Sequence, residues 1–213
     1  MTRHLICAAA LCLWTLASPA WAQTQSSTPD GLIKSVTQDV LESIRTDRSL
    51  QKGDLSRLNQ LVDQRVMPVV NFSRMTALTV GVNWRKATPE QQERLMAAFR
   101  ELLLLTYADA LRQVQDTTVQ VRPARYEAED TDVVVRTFVL RTGKEPIQLD
   151  YRLQKTPEGW KIYDFNVLGL WLVDHYRAQF AQLVSAKGLD GLISALQAKN
   201  QTLRQGVQAK AGT

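Results

Sequence analysis

Cysteine is what this chain has least use for. Its two cysteines, Cys7 and Cys12, both fall in the first stretch of the sequence, and the leader described below would carry both away. The remainder then has no thiol for a disulfide, a thiolate nucleophile or a soft metal site, so its stability must come from its core. Histidine is nearly as scarce, with only His4 and His175 in 213 residues. No G-x-S-x-G, H-E-x-x-H or Gly-rich phosphate loop occurs. Long apolar runs are missing too: beyond the N-terminus nothing approaches the ~20 uninterrupted apolar residues of a spanning helix. A basic cluster is also absent. The net charge of +5 is spread along the chain, which reads as an ordinary solvated surface and disfavours nucleic acid as a partner.

At the N-terminus, Arg3 and His4 precede an apolar run over residues 5–16, and Ala20-Trp21-Ala22 supplies small residues at a cleavage site. This is the pattern of a secretory signal peptide over residues 1–22. Cys12 follows Leu11 in mid-run rather than standing at the cleavage point, so lipid anchoring is not expected. A single domain is expected over residues 23–205, long enough to bury a substantial core, with residues 206–213 as a loose tail.

Leu32, Ile33, Val36, Val40, Leu41 and Ile44 form one helical stripe, and Lys52-Gly53 breaks it before a second stripe of Leu55, Leu58, Leu61, Val62 and Val66. Pro68 ends that helix. Phe72, Met75 and Leu78 again show helical spacing, closed by Gly81. Thr88-Pro89-Glu90-Gln91 predicts a strong helix start, with Thr88 and Gln91 placed for a capping box. Behind it lies a long helix whose inner face is Leu95, Phe99, Leu102, Leu103, Thr106 and Ala110. Leu104, Leu105 and Tyr107 widen its apolar arc beyond one buried stripe.

From Thr118 the period changes to two. Residues 118–126, 133–140 and 147–154 alternate, and Gly143-Lys144-Glu145-Pro146 and Thr156-Pro157-Glu158-Gly159 are turn sequences. The pattern predicts an antiparallel meander of about four strands, the last of which, residues 160–167, carries apolar bulk on both faces. Two helices follow, separated at Gly188. The fold class is therefore α+β, a twisted antiparallel sheet against several helices.

Three residues are candidates for chemistry. His175 stands beside Asp174 in a helix, where adjacent residues do not face each other, and reads as a surface or interface residue. Asp150 falls on the polar side of its strand and is expected to be exposed. Asp164 lies on the mixed last strand, where a structural hydrogen bond or salt bridge outweighs an acid–base role. No catalytic residue and no metal ligand is assigned.

Several segments in order resemble the MlaC, or toluene-tolerance, family. They are Asn71-Phe72-Ser73-Arg74-Met75, residues 81–87 with Trp84-Arg85-Lys86-Ala87, the helix over residues 88–107, Trp160-Lys161-Ile162-Tyr163-Asp164, Leu172-Val173, Tyr176-Arg177-Ala178-Gln179-Phe180 and Gly191-Leu192-Ile193. The resemblance spans nearly the whole chain after the leader. It implies a periplasmic phospholipid carrier with a cone-shaped, nuclear-transport-factor-two-like α+β fold and an interior apolar pocket. It further implies transient exchange with an inner-membrane ATP-binding-cassette complex bearing a periplasmic ring protein, and with an outer-membrane lipoprotein complex, so as to maintain outer-membrane lipid asymmetry. Asn71 stands where many relatives have Asp, which bears on a local cap. Trp171 lies where a small residue is common, which bears on the pocket mouth or a docking surface.

On this reading no cofactor is expected beyond phospholipid held as cargo by a monomer. Two acyl chains of about 15 methylenes at ~0.8 kcal/mol each amount to burial on the order of 20 kcal/mol, so tails do not cross water unaided. They are expected between the long helix and the inner sheet face, lined by Leu78, Phe99, Leu103, Tyr107, Val135, Leu149, Tyr151, Ile162, Tyr163, Phe165 and Val167. Arg141 and Lys144, near a sheet turn, could lie at the pocket mouth, but a solvated hairpin tip is the favoured reading. The competing readings are a small-molecule enzyme on a similar fold, which needs a buried carboxylate facing the cavity, and a lipid-free periplasmic chaperone.

Overall fold

Residues 28–112, 114 and 116–211 are described by the computed structural model; the expected leader lies outside them. Local chemistry sets most helix starts. Thr28 accepts from the Gly31 amide at the head of α1 (Pro29–Thr46). Asp47 and Asp54 do the same for two short helices, α2 (Arg48–Gln51) and α3 (Leu55–Leu61), because a short polar side chain satisfies amides that have no partner within the helix. Between these two, Gly53 takes a positive φ of 83°. Beyond α3 the chain runs through a π turn at Val62–Val66 and a 3-10 turn at Met67–Val69.

Val70 then forms a parallel bridge with Ile162, and the Asn71 amide donates to the Ile162 carbonyl at 2.7 Å. This hooks the start of α4 (Phe72–Val80) to the sheet. Asn71 caps α4 by accepting from the Arg74 amide at 2.9 Å, so the residue that departs from the family pattern still serves as a cap. A 3-10 segment, Gly81–Lys86, leads to α5 (Pro89–Arg112). Its capping box is formed as the sequence predicts: Thr88 and Gln91 each donate a backbone amide to the other's side chain, both at 3.1 Å.

The sheet is an antiparallel meander, β1 (Thr117–Val121), β2 (Asp132–Arg141), β3 (Lys144–Thr156), β4 (Gly159–Val167) and β5 (Leu170–Trp171), in that order. The expected four strands are joined by a two-residue fifth. β3 pairs Leu153 with Ile162 but Arg152 with Asp164, so Tyr163 is one residue too many on β4. Such a bulge shifts the phase of the pleat. Trp160 and Ile162 before it, and Phe165 and Val167 after it, consequently share the inner face, while Asp164 and Asn166 turn outward. The apolar bulk that the sequence places on both faces of this strand belongs mainly to one.

The chain closes with α6 (Leu172–Ala211), broken at Gly188, whose φ of 70° and ψ of −177° are non-helical. Where the sequence predicts a tail from residue 206, the helix continues to Ala211 and Val207 is buried.

Three apolar clusters form. The first joins α4, α5 and α6 around Met75, Phe99, Tyr176 and Phe180. A second joins α1 to the inner sheet face around Ile33, Val135, Leu153 and Ile162. The third holds Ile44, Leu50, Leu58, Ala108 and Val207, with Leu104 and Leu111 against it. α5 thus serves two clusters on different sides, and part of its excess apolar arc is ordinary core.

Candidate functional site

Register fixes which side chains share the inner face. Successive rungs across β2, β3 and β4 are Val133–Leu153–Ile162, Val135–Tyr151–Phe165 and Thr137–Leu149–Val167, followed by Val139–Ile147. Exposure of the apolar members grows along this series, while Thr137 stays fully buried with its hydroxyl donating to the Leu149 carbonyl. The first rung is buried throughout. In the second, Val135 and Tyr151 are buried and Phe165 is half-buried. Leu149 and Val167 are half-buried in the third, as are Val139 and Ile147 in the last. Toward the Val139–Ile147 end, inward-facing apolar side chains thus remain partly open to solvent.

The opposing wall comes from the helices. Phe99 is fully buried, with ring centroids of Phe180, Tyr176 and Phe72 at 5.2, 5.3 and 5.7 Å. One turn further along α5, Leu103 and then Tyr107 are half-buried, as is Leu78 on α4. Burial raises the Tyr107 phenol above its ordinary pKa, with Tyr176 nearby adding to the effect. Phe165 packs against both the helical and the sheet cluster and sets its ring edge-on to Tyr151 at 5.7 Å. It is the contact through which the two halves of the interior meet.

The candidate residues therefore divide. Leu78, Leu103, Tyr107, Leu149, Phe165 and Val167 are half-buried, whereas Phe99, Val135, Tyr151 and Ile162 are packed core. Tyr163 joins neither cluster: it is the bulged residue, and the Arg74 guanidinium lies 3.8 Å from its ring centroid. Val139, Ile147 and Val121 on the same inner face were not among the candidates. Their strand alternation was visible, but the register that brings them to the open end was not. A separate void of about 10 Å³ in the third cluster, lined by Ile44, Leu58, Ala108 and Val207 among others, has room for one water at most.

The outer face of β3 and β4 carries polar groups. Asp164 is fully buried. It accepts from the Val173 and Phe165 amides at 3.0 and 2.9 Å and from Arg152 at 3.0 Å, so it ties the first turn of α6 to the sheet, a structural role as expected. Burial lifts its carboxyl above the ordinary carboxylate value, against the pull of the two amides and of Arg152. Arg152 also stacks on Trp171, 3.9 Å from the ring centroid, so this family departure makes a packing contact on the outer face.

Asp150 corrects an expectation. It does face the polar side, but it is only 4% exposed, with Oδ2 accepting from Gln148 at 2.7 Å. Its Oδ1 is buried without a hydrogen-bond partner among the described residues. His175 is exposed, with Gln179 at 3.4 Å and its ring against Tyr176. Among the described residues, no group of three or more His, Cys, Asp or Glu is placed to hold a metal, and no helix is long and apolar enough to cross a membrane.

The architecture is that of an α+β protein, an antiparallel sheet packed on helices around an apolar interior, with Asp164 ion-paired to Arg152 on the opposite face. The sequence profile of the MlaC protein family matches residues 34–198, and the chain belongs to that family. It is 22% identical to the intermembrane phospholipid transport system binding protein MlaC of Haemophilus influenzae, covering 80% of this chain and 81% of that one. It is 24% identical to the toluene tolerance protein ttg2D of Pseudomonas putida, over 78% and 77% of the two chains. The solved structure of a phospholipid-binding protein from Ralstonia solanacearum, in complex with a phospholipid, matches with a TM-score of 0.78 at 45% identity, covering 81% of this chain and 96% of that one.

Proposed function

We propose that this protein is a periplasmic phospholipid carrier that covers acyl tails in the cleft between α5 and the inner face of β3 and β4, and that it is not an enzyme. The observation that carries the reading is the graded exposure of that face, because an ordinary core would close over Leu103, Leu149, Phe165 and Val167. Family membership and the phospholipid bound by the 45% identical Ralstonia protein support it. The tails enter from the Val139–Ile147 end and the headgroup stays near solvent.

Exchange requires only that the cleft match the apolarity of a membrane, since both environments bury the same methylenes. The donors and acceptors are an outer-membrane lipoprotein complex and an inner-membrane ATP-binding-cassette complex with its periplasmic ring. The signal peptide over residues 1–22 takes the chain to the compartment between them. Native mass spectrometry of protein purified from a bacterial periplasm, followed by denaturation and lipid identification, tests the reading. One diacyl phospholipid per chain is expected. Protein that is lipid-free and also fails to load from liposomes would overturn it in favour of a chaperone.

A further inference from the structure

The partly open end of the inner sheet face holds a donor that nothing among the described residues satisfies. Arg141 ends β2, in register with Thr117 on β1 and Lys144 on β3. The register between β1 and β2 is unbroken from Val121–Thr137 to Thr117–Arg141. Alternation along β2 through Val135, Thr137 and Val139 therefore puts residue 141 on the same face as the apolar rungs. The irregularity between β2 and β3 adds its extra residue on the β3 side, between Lys144 and Ile147, where Pro146 has no amide to donate. The direction of Arg141 is unaffected.

Its Nε is buried without a hydrogen-bond partner. Among the described residues Arg57, Arg74, Arg100, Arg152 and Arg177 each form an ion pair with an aspartate, whereas Arg141 has none. The residue directly across from it is a second cation, the exposed Lys144. Like charges opposed across two strands are unfavourable unless an anion lies between them, and a buried guanidinium N–H without an acceptor is more so.

We propose that Arg141, with Lys144 beside it, holds the phosphodiester of the bound phospholipid. This rests on the carrier reading and adds a recognised chemical group to it. A guanidinium matches phosphate geometry with paired N–H donors. From Val139 to the rung that holds Phe165, where the partly open face ends, the strand runs four residues, ~13 Å, close to the depth of half a hydrocarbon core ~30 Å thick. Contact with the phosphate, which all phospholipids share, selects phospholipids over neutral lipids while leaving the rest of the headgroup unread.

The test offers lipid-stripped full-length mature protein mixed vesicles of dipalmitoyl phosphatidylglycerol and dipalmitoylglycerol in equal amounts, and counts bound lipid by native mass spectrometry. Wild type should prefer the phospholipid by about tenfold, the size expected of a charge-assisted contact. Arg141→Gln should take the two nearly equally, Arg141→Lys should fall between, and Lys144→Gln should lower the preference about twofold with an unchanged thermal melt. If Arg141→Gln loads lipid at the wild-type ratio, the anchor is overturned and the carrier reading stands. If wild type takes up neither lipid, the carrier reading falls and the anchor with it. A phosphorus NMR titration with inorganic phosphate separates the sources: Arg141-dependent binding of the free ion, without any preference between the two lipids, would overturn the headgroup assignment.

Discussion

Phe99 and Leu103 sit one turn apart on α5 and border the same cluster, yet they differ in what surrounds them. Phe99 is fully buried among three aromatic rings, and Leu103 is half-buried, beside the cleft proposed above. Phe99→Ala should cost about 3–5 kcal/mol, because the lost transfer energy is joined by a cavity that rigid neighbours cannot fill. At roughly 2–4 °C per kcal/mol for a domain of this size, the melting temperature should fall by about 10–15 °C.

Leu103→Trp should behave in the opposite way. Where a side chain borders open space, added bulk enters that space, so the melt of lipid-stripped protein should move by no more than about 2 °C. The same bulk occupies volume needed by an acyl chain, and bound lipid should drop several-fold. Calorimetry on stripped protein and native mass spectrometry after loading read the two effects separately. If Leu103→Trp instead costs the 1–3 kcal/mol of an overpacked core and leaves lipid occupancy intact, Leu103 is core and the cleft does not lie where the exposure gradient puts it.

Asp164→Ala should lose about 3 kcal/mol, since it strips acceptors from the Val173 and Phe165 amides and leaves Arg152 without its buried partner. Hydrogen exchange at the Val173 amide should accelerate. Asp164→Asn keeps one acceptor oxygen and should retain its lipid load; abolition of a turnover by that change would instead favour the enzyme reading. Tyr151 provides a pH test. Burial holds its phenol above the ordinary value of 10.0, so its contribution is full below that value and is lost as pH rises toward the folded pKa, where the unfolded chain releases the proton more readily. Tyr151→Phe should therefore shift the midpoint of alkaline unfolding, followed by circular dichroism, to higher pH. An unchanged midpoint would mean that the hydroxyl is not shielded.

Much of the helical layer was legible because its signals are local. Thr88 and Gln91 form the box their spacing announces, and Gly188 breaks the last helix where a left-handed φ is needed. The α+β class followed from the change of period at Thr118. Helix ends and strand alternation depend on neighbours within a few residues, and the sequence displays those directly.

Relations between strands were not legible. The bulge at Tyr163 exists only by reference to the pairing of β3 with β4, and one inserted residue decides that Phe165 faces the interior while Asp164 faces away. Asp150 was assigned to the correct face but to the wrong depth, because burial depends on what distant parts of the chain place over a side chain. Likewise the apolar arc of α5 was evident, but its division between the third cluster and the cleft required knowing where α1 and α3 come to rest. The sequence by itself determined which residues are apolar, where the elements begin, and the resemblance from which the lipid reading was drawn. Only the tertiary structure decided which of those residues are packed and which border open space, because exposure is a property of surfaces brought together from distant parts of the chain.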